Sequence, residues 1–400
     1  MLKLRRAKVL EAPPPDGLEQ RLLVSLVSAA AFESPHAQGR ALDAGAAGEQ
    51  RPAVADVGLV GTVAVGDEVI VNVEALDLGL GSGGFDVVHV NLTRGLAAEG
   101  LAGANVMKLN YTSLQHAVQP VEDEKLELPL TDPVGVLALH GQLAAVAWAF
   151  AQTAPGRRLG YVQTGGGALP GGHSRVVGAL RERSLLAGHL TAGAAFGGGE
   201  GEAVSTAGAV HYGLRTLGWD AVLCGPGPGI VGSRSPLGHG GMAALDSAHA
   251  ALALGAPTLL VARMSSGDPR VRHRGISHHT LTVLDLLLEP VTVALPAGMR
   301  SPVGNDLRAG LGAVFGVSAT SRPQLELEEV DRPARIARHD WRRATVDLPA
   351  YAASALPAQT MGRGLVEDPL FFGAALAGGA ALADMLAQDE QRQSRADEAA

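Results

Sequence analysis

The sequence predicts an α/β protein with an N-terminal antiparallel, barrel-like β domain, a doubly wound, Rossmann-like parallel sheet domain and a C-terminal helical segment. Short strand-like apolar runs, separated by turn residues, fill positions 1–131. Strand, glycine-rich loop and helix then alternate through 132–297, and glycine runs begin at positions 165, 197 and 225. That spacing is typical of the strand-plus-helix unit of a parallel sheet. Hydrophobic residues make up 46% of the chain and aromatic residues only 4%, so the core must be aliphatic.

The first domain is predicted from alternation and turn residues. Val69, Val71 and Val73 alternate with Ile70, Asn72 and Glu74, which is roughly the period of a half-buried strand. Positions 33–55 are rich in Ala, Gly and polar residues without periodicity, so we predict a long loop there. The predicted strands of this domain are 22–27, 57–65, 68–73 and 85–91.

The second domain begins where Asp132-Pro133 predicts a helix start, because Asp is a good N-cap and Pro suits the first helical turn. Strands are predicted at 159–163, 189–194, 220–224, 258–263 and 291–295. Helices between them are predicted at 174–187, 203–217, 241–254 and 277–288.

The rest of the chain divides into two parts. Positions 298–387 are predicted to be an irregular, Arg-rich stretch followed by a helix that packs on the sheet domain. Positions 388–400 are polar and charged, and we predict a disordered tail.

Composition limits the partners and the compartment. The formal charge of −8 argues against nucleic acid or an anionic membrane as the main partner. A single cysteine, Cys224, excludes an intramolecular disulfide and fits a reducing compartment. The apolar segment 369–386 contains Asp384 and three glycines, which favours a packed helix over a membrane span. We therefore expect a cytoplasmic protein without a membrane partner, and a homo-oligomer is compatible with the sequence.

The expected ligand edge lies at the carboxyl ends of the parallel strands, where ligands bind in open sheets. We expect Gly225, Gly227, Gly229 and Gly232 to shape a cradle there, because glycine lets backbone N–H groups approach an anion. Residues 227–232 formally match the dinucleotide fingerprint. The helix should open inside that motif, whereas 233–241 is predicted as loop, so a structural loop is favoured.

The segment 268–280 concentrates cations. Ser277 is a good N-cap and would place His278 and His279 in the first helical turn, where the helix macrodipole disfavours further positive charge. A bound anion would relieve that conflict, and arginine suits two-point contacts with phosphate or carboxylate. The alternative is a solvated basic loop with neutral histidines. The predicted anion ligands of this segment are Arg270, Arg272 and Arg274.

Other candidates complete the predicted site. His273, His278 and His279 are candidates for proton transfer, and His239 and Arg363 for ligand binding. Glu202 is a candidate catalytic carboxylate, with stabilisation of a helix N-terminus as its alternative role. The four histidines, with or without Asp268 or Glu202, could instead hold a metal, although no tight ligand motif is present and no metal ligand or cofactor is assigned.

The chain resembles the bacterial family known as domain of unknown function 3866. The resemblance covers nearly the whole chain and implies a shared fold without an assigned activity. Relatives often carry an Asp near the first glycine loop, where this chain has Gly165, so the resemblance argues against a catalytic carboxylate there. The motifs that carry the resemblance are 78–84, 107–115, 225–241, 268–280 and 360–363.

Three functions therefore remain open. The leading hypothesis is binding of an anionic small molecule, a nucleotide or phosphorylated metabolite, at the carboxyl edge of the sheet, with or without catalysis. The second is a metal-dependent hydrolase that uses the histidines. The third is a non-catalytic interaction or regulatory protein.

Overall fold

The computed structural model describes residues 2–27, 47–79, 84–96, 100–122, 125–233, 235–299 and 334–399. The chain divides into two compact units, Met1–Ala117 and Val118–Ala400.

The first unit is built around a closed five-stranded barrel with the strand order β1-β2-β3-β5-β4. All neighbouring strands are antiparallel except β3 and β5, which are parallel. Alternate valines such as Val9, Val24 and Val71 are buried in its interior, as the period of a strand requires. The strands are β1 (Leu4–Glu11), β2 (Glu19–Leu26), β3 (Gln50–Asp56), β4 (Glu68–Asn72) and β5 (Asp86–Asn91).

Two parts of the first domain differ from the prediction. The predicted strand 57–65 is wrong: it starts with a short helix, α1 (Val57–Val60), because the Asp56 side chain accepts a hydrogen bond from the Gly58 N–H and caps it. β3 begins within the predicted loop 33–55 and extends one residue beyond it, and residues 33–46 of that loop lie outside the described residues. The remaining short elements are α2 (Glu74–Asp77), β6 (Val106–Lys108) and β7 (His116–Val118).

The second unit is built around an eight-stranded, wholly parallel sheet with the order β11-β10-β9-β12-β8-β13-β16-β17. Three two-stranded ladders complete the described strands: β6 pairs with β7, β14 with β15 and β18 with β19. The strands are β8 (Val134–Val136), β9 (Leu159–Thr164), β10 (Gly188–Ala192), β11 (Gly201–Ala203), β12 (Ala221–Pro226), β13 (Thr258–Val261), β14 (Met264–Ser265), β15 (Gly275–Ile276), β16 (Thr292–Pro296), β17 (Asp340–Ala344), β18 (Gln359–Thr360) and β19 (Arg363–Gly364).

Helices cover both faces of this sheet and divide its core in two. Buried side chains of α5, α6 and α7 form one apolar cluster, together with Leu370 and Ala374 of α10, and those of α3, α4, α9 and the rest of α10 form the other. This confirms the doubly wound prediction. The helices are α3 (Leu143–Thr153), α4 (Arg175–Glu182), α5 (Thr206–Arg215), α6 (Ala243–Ala253), α7 (His278–Leu286), α8 (Ala334–Ala337), α9 (Leu348–Ala353) and α10 (Pro369–Ala399).

The strand order sets where the sheet can bind a ligand. The chain leaves β8 and β9 along the α3 and α4 face, and leaves the neighbouring strands β12 and β13 along the α6 face. Connections to opposite faces open a crevice at the carboxyl ends of adjacent strands. In this sheet such a crevice lies at the carboxyl ends of β9, β12, β8 and β13.

The glycines of β9, β10 and α5 make room for one tryptophan. Trp219 is buried, and a Cβ on Gly160 would lie 1.8 Å from its Cε3 atom. A Cβ on Gly188 or Gly213 would lie 2.7 or 2.5 Å from the same side chain. These positions therefore tolerate no side chain, which accounts for part of the high glycine content of the chain.

Several predicted elements of the second unit are displaced. The helix predicted at Asp132-Pro133 is wrong, because the apolar residues that follow form the central strand β8 and α3 starts only at Leu143. β17 adds a strand within the segment 298–340 that the sequence presents as irregular, and residues 300–333 of that segment lie outside the described residues.

The last helix is a core element of the second unit. Pro369–Gln388 is apolar and long enough to cross a membrane, yet 83% of its apolar window is buried inside the protein. It packs on α3 and β16, and Phe371 and Phe372 lie in the same apolar cluster as α3. Burial of this extent is typical of a core helix. α10 continues to Ala399, through positions 388–399 of the predicted tail.

Candidate functional site

Six of the polar side chains at the carboxyl ends of β12 and β13 lie together, and we call them the His–Arg cluster. Four are histidines, and the two arginines are Arg263, which follows β13, and Arg272. The structure thus brings together five of the residues that the sequence predicted, and it adds Arg263. The members of the cluster are His239, His273, His278, His279, Arg263 and Arg272.

Local structure positions the cluster on two chain segments. The pairing of β14 with β15 folds residues 264–276 back on themselves, and Gly275 turns the chain at a φ of 62°. Ser277, two residues after Gly275, is the N-cap of α7, as predicted, because its hydroxyl accepts a hydrogen bond from the His279 N–H. His278 and His279 therefore occupy the first turn of α7. His239 comes from the other segment, immediately before the 3₁₀ turn Gly240–Met242 that leads into α6.

The four imidazoles are in ring-to-ring contact. His239 stacks on His279 with 3.6 Å between ring centroids and 9° between ring planes. His278 meets His279 edge-on at 4.4 Å, and His273 lies 4.8 Å from His278. All four histidines are buried.

Hydrogen bonds show that two of these histidines are neutral. A guanidinium can only donate, so the 2.7 Å bond from Arg263 Nη1 makes His279 Nδ1 an acceptor. Arg272 Nε likewise donates to His273 Nε2 at 3.4 Å, so His273 Nδ1 carries the proton and donates to Ser277 Oγ at 2.8 Å. Each of these two rings therefore has a defined tautomer.

The surroundings hold all four histidines in the neutral form. Burial, reinforced by the nearby arginines, lowers the pKa of His239 and of His278 to about 4. The same causes place the pKa of His273 and of His279 still further below the ordinary value for histidine. These imidazoles thus offer lone pairs and N–H groups at neutral pH, and they add no charge.

Some of the polar atoms in the cluster have no hydrogen-bond partner. Both ring nitrogens of His239 are buried without one, and so is His278 Nε2. A buried imidazole nitrogen without a partner costs free energy, on the order of 1–3 kcal/mol for a neutral polar group. These atoms are therefore available to a ligand that supplies the complementary donors and acceptors.

A buried carboxylate, Asp268, lies beside the cluster and neutralises part of its positive charge. Asp268 is fully buried and receives two hydrogen bonds from the Arg270 guanidinium, at 3.0 and 2.9 Å. Arg363 Nη2 donates to the same carboxylate at 3.3 Å, and Arg263 Nη2 lies 3.7 Å from it. Burial alone would raise the pKa of Asp268, but the bonds from Arg270 hold it well below its usual range. Asp268 is thus ionised and shared by three arginines.

A second buried carboxylate ties the C-terminal segment to the site. Asp368 is fully buried and accepts hydrogen bonds from Ser265 Oγ at 2.6 Å, from the Ser266 N–H at 2.7 Å and from Arg363 Nε at 3.1 Å. Arg363 therefore bridges Asp368 and Asp268. The sequence signal for Asp368 is its place before Pro369, the first residue of α10, which is typical of a helix N-cap.

The charges around the cluster do not balance. In the described part of the chain the two carboxylates Asp268 and Asp368 are accompanied by five arginines, at positions 263, 270, 272, 274 and 363. Arg274 donates to the backbone oxygen of Asp268, and Arg272 has no carboxylate partner among the described residues. Burial lowers the pKa of Arg263 to about 10. Only Arg263 among these arginines is buried, and a partly buried region with excess positive charge is stabilised by an anion.

The predicted cradle glycines lie in the loop that follows β12. A Cβ on Gly225 would lie 2.7 Å from Leu137 Cβ, and one on Gly227 would lie 2.5 Å from Gln163 Nε2. Gly229 has a φ of 86°, and Gly232 forms an isolated bridge with His239. No helix begins within 227–232, so the dinucleotide geometry is absent from this loop. The loop delivers His239 to the cluster.

Glu202 lies apart from the histidines. It belongs to the edge strand β11 and not to the start of a helix, since α5 begins at Thr206. Its carboxylate accepts hydrogen bonds from Thr191 Oγ1 at 2.7 Å and from the Gly197 N–H at 2.5 Å. β11 and β12 are three strand spacings apart, about 14 Å. The structure therefore does not bring Glu202 to the cluster.

Three of the histidines could offer nitrogen ligands to a metal. One ring nitrogen each from His239, His278 and His279 lies within 4.8 Å of the others. Nitrogens that share a zinc ion lie about 3.3 Å apart, given Zn–N bonds of about 2.0 Å in a tetrahedron. The parallel stack of His239 on His279 also keeps their lone pairs from converging on one point. A metal therefore requires the rings to rotate.

Comparison with known proteins gives one result. Searches of curated proteins and of solved structures found no match to this chain. A family model described as protein of unknown function (DUF3866) matches residues 53–379, and the chain therefore belongs to that family.

Proposed function

We propose that the protein binds an anionic small molecule, a nucleotide or a phosphorylated metabolite, at the His–Arg cluster. The observation that carries the proposal is the excess of positive charge around buried histidines: Arg263 is 5% exposed, and the partly buried Arg272 has no carboxylate partner among the described residues. One anion oxygen about 4 Å from a guanidinium would gain about 4 kcal/mol at an effective dielectric constant of about 20. That gain acts beside three buried ring nitrogens, two on His239 and one on His278, that lack hydrogen-bond partners.

The arginines differ in what they contribute to this site. Arg270 and Arg363 are engaged by Asp268 and Asp368, so they build the wall of the site. Arg263 and Arg272 face the histidines instead, because each donates to a ring nitrogen. We therefore assign direct anion contact to Arg263 and Arg272. Neutral His239 and His278 supply further hydrogen bonds, and an anion that raises their pKa would let them transfer protons.

A metal-dependent hydrolase is the second candidate, favoured by the three neighbouring nitrogens of His239, His278 and His279. Two observations weigh against it. A divalent cation would add charge to a region that already holds excess arginine, and the Arg263 guanidinium lies 2.7 Å from His279 Nδ1. In addition, the stacked rings would have to separate.

The test is a thermal-unfolding panel of sulfate, inorganic phosphate, nucleoside phosphates and sugar phosphates, each with and without EDTA. We expect one or more anions to raise the unfolding temperature in the presence of EDTA. A ligand at about 100 times its Kd stabilises the folded state by about 2.7 kcal/mol. Stabilisation only with zinc or manganese would support the hydrolase instead, and no stabilisation by any anion would contradict the proposal.

A further inference from the structure

A second set of buried polar side chains lies on the face of the sheet that packs against α3 and α4, and we call it the serine–histidine chain. It consists of Ser174, His140 and Tyr161. Ser174 is the N-cap of α4, His140 begins the 3₁₀ turn that follows β8, and Tyr161 lies in β9. All three are buried, and they are linked by hydrogen bonds at the carboxyl ends of β8, β9 and β12.

The partners of Tyr161 determine the direction of every bond in this chain. Its hydroxyl lies 3.1 Å from the Gly225 oxygen and 3.2 Å from the Pro226 oxygen. Carbonyl oxygens only accept, so the Tyr161 proton is donated to them. His140 Nδ1, at 3.3 Å, must then donate to the Tyr161 oxygen. His140 Nε2 is left with its lone pair, 2.8 Å from Ser174 Oγ, and accepts the serine proton.

The Ser277–His273 pair has the opposite direction. It also joins a helix N-cap serine to a histidine at 2.8 Å. Because Arg272 Nε donates to His273 Nε2, the other nitrogen of that ring carries the proton and donates to Ser277. Ser277 is therefore held as an acceptor, whereas Ser174 faces a base. Ser205 provides a third comparison, since it caps α5 by accepting from the Gly208 N–H at 3.0 Å and has no histidine partner among the described bonds.

Two further features suit Ser174 to nucleophilic chemistry. Its oxygen accepts a hydrogen bond from the Val177 N–H at 3.2 Å, and the N-terminus of α4 favours the negative charge that develops on that oxygen. His189 stacks on Tyr161 with 5.3 Å between centroids, and its Nε2 is buried without a partner. A Cβ on Gly171, three residues before Ser174, would lie 2.6 Å from His189 Cε1. An unused polar atom thus lies next to the turn that carries the serine.

We propose that Ser174 is the nucleophile of an acyl-transfer site that takes a small carboxylic ester, with His140 as its general base. Ser174 Oγ bonds to the ester carbonyl carbon while its proton passes to His140 Nε2. The carbon–oxygen bond to the alcohol then breaks, and the alcohol leaves with that proton. Water, activated by His140, hydrolyses the acyl-serine and restores Ser174. Tyr161 is a positioning residue, because it fixes the tautomer of His140. The proposal does not depend on an anion at the His–Arg cluster.

The test uses a small alkyl fluorophosphonate, which forms an Oγ–P bond with an activated serine and releases fluoride. We expect intact-mass analysis of the full chain to show one adduct, and peptide mapping to place it on Ser174 and not on Ser277 or Ser205. His140→Gln should slow labelling by about 100-fold, the lower range for loss of a general base. Tyr161→Phe should slow it less and alter its pH profile, because the imidazole loses the group that fixes its tautomer.

Ser205→Ala is the matched control for capping. It removes a helix N-cap as Ser174→Ala does, so both should lower stability by about 1 kcal/mol, while only Ser174→Ala should abolish labelling. An unlabelled wild-type protein, a label on another serine or an unchanged rate in His140→Gln would overturn the proposal. Mapping the wild-type adduct keeps the test decisive even if Ser174→Ala does not fold.

Discussion

Anion affinity at the His–Arg cluster should rise as the pH falls. In the free protein His239 and His278 are neutral, because burial lowers the pKa of each to about 4. A bound dianion offsets the repulsion from Arg263 and Arg272, so it raises both pKa values. Linkage then requires that proton uptake accompany binding and that protonation strengthen it.

The size of the effect follows from these values. If a dianion returns one histidine to the ordinary pKa of about 6.5, affinity at pH 5.5 exceeds affinity at pH 8 by about tenfold. Two histidines that titrated independently would give a difference in affinity of up to about 100-fold. The difference should be smaller here, because the two rings are in contact and their titrations are coupled.

Sulfate is the suitable probe for this prediction, since its own charge stays constant over that pH range. Isothermal titration calorimetry in two buffers of different ionisation enthalpy gives the Kd and the number of protons taken up. His278→Gln should reduce the pH dependence, and His89→Gln, in β5 of the barrel unit, should leave it unchanged. An affinity that is constant or that rises with pH would refute the reasoning.

The remaining predictions concern stability and reactivity. Arg270→Ala should lower the free energy of unfolding in urea by about 1–3 kcal/mol, because it removes the charge-assisted hydrogen bonds that the partly exposed arginine donates to buried Asp268. A change below about 0.5 kcal/mol would contradict the role of that pair. Gly160→Ala should lower the free energy of unfolding by at least about 3 kcal/mol or prevent folding, since its Cβ would overlap Trp219. Gly178→Ala, in α4 with open space around it, should raise the free energy of unfolding by about 0.5–1 kcal/mol. Equal effects of the two substitutions would argue against the packing around Trp219. Cys224 should react with a thiol reagent only after unfolding, because burial raises its pKa to about 12; rapid reaction of the native protein would show that β12 opens.

The sequence predicted the elements whose patterns are local. Strands such as β9 and β12, the helix stops at Gly218 and Gly255 and the Ser277 cap all match the structure, because turn, cap and alternation signals lie within a few residues. β8 was missed for the same reason: three apolar residues after Asp132-Pro133 look like a helix start, and only pairing with β12 and β13 makes them a strand.

The candidate site shows the same limit. The concentration of Arg and His in 268–280 is visible in the sequence, and so is the Ser277 cap. The bond from Arg363 to Asp268, and the bonds from Ser265 and Ser266 to Asp368, join residues about 100 positions apart, so the pattern of charged and polar contacts is not visible in the local sequence. The serine–histidine chain likewise joins three segments, none of which carries a distinctive motif, so its direction follows only from the hydrogen bonds.

The central claim is that an anion binds between Arg263, Arg272 and the histidines, and sulfate titration of one substitution tests it most directly. Arg272→Ala should lower the free energy of unfolding by no more than about 1–3 kcal/mol, because it removes the hydrogen bond to His273 Nε2 and breaks no bond to a carboxylate among the described residues. It should weaken sulfate binding at pH 5.5 by about 10- to 100-fold, which corresponds to loss of one charge-assisted interaction. Arg335→Ala, at an exposed position in α8, is the control and should bind as the wild type does. Equal affinity of Arg272→Ala and the wild type would contradict the claim.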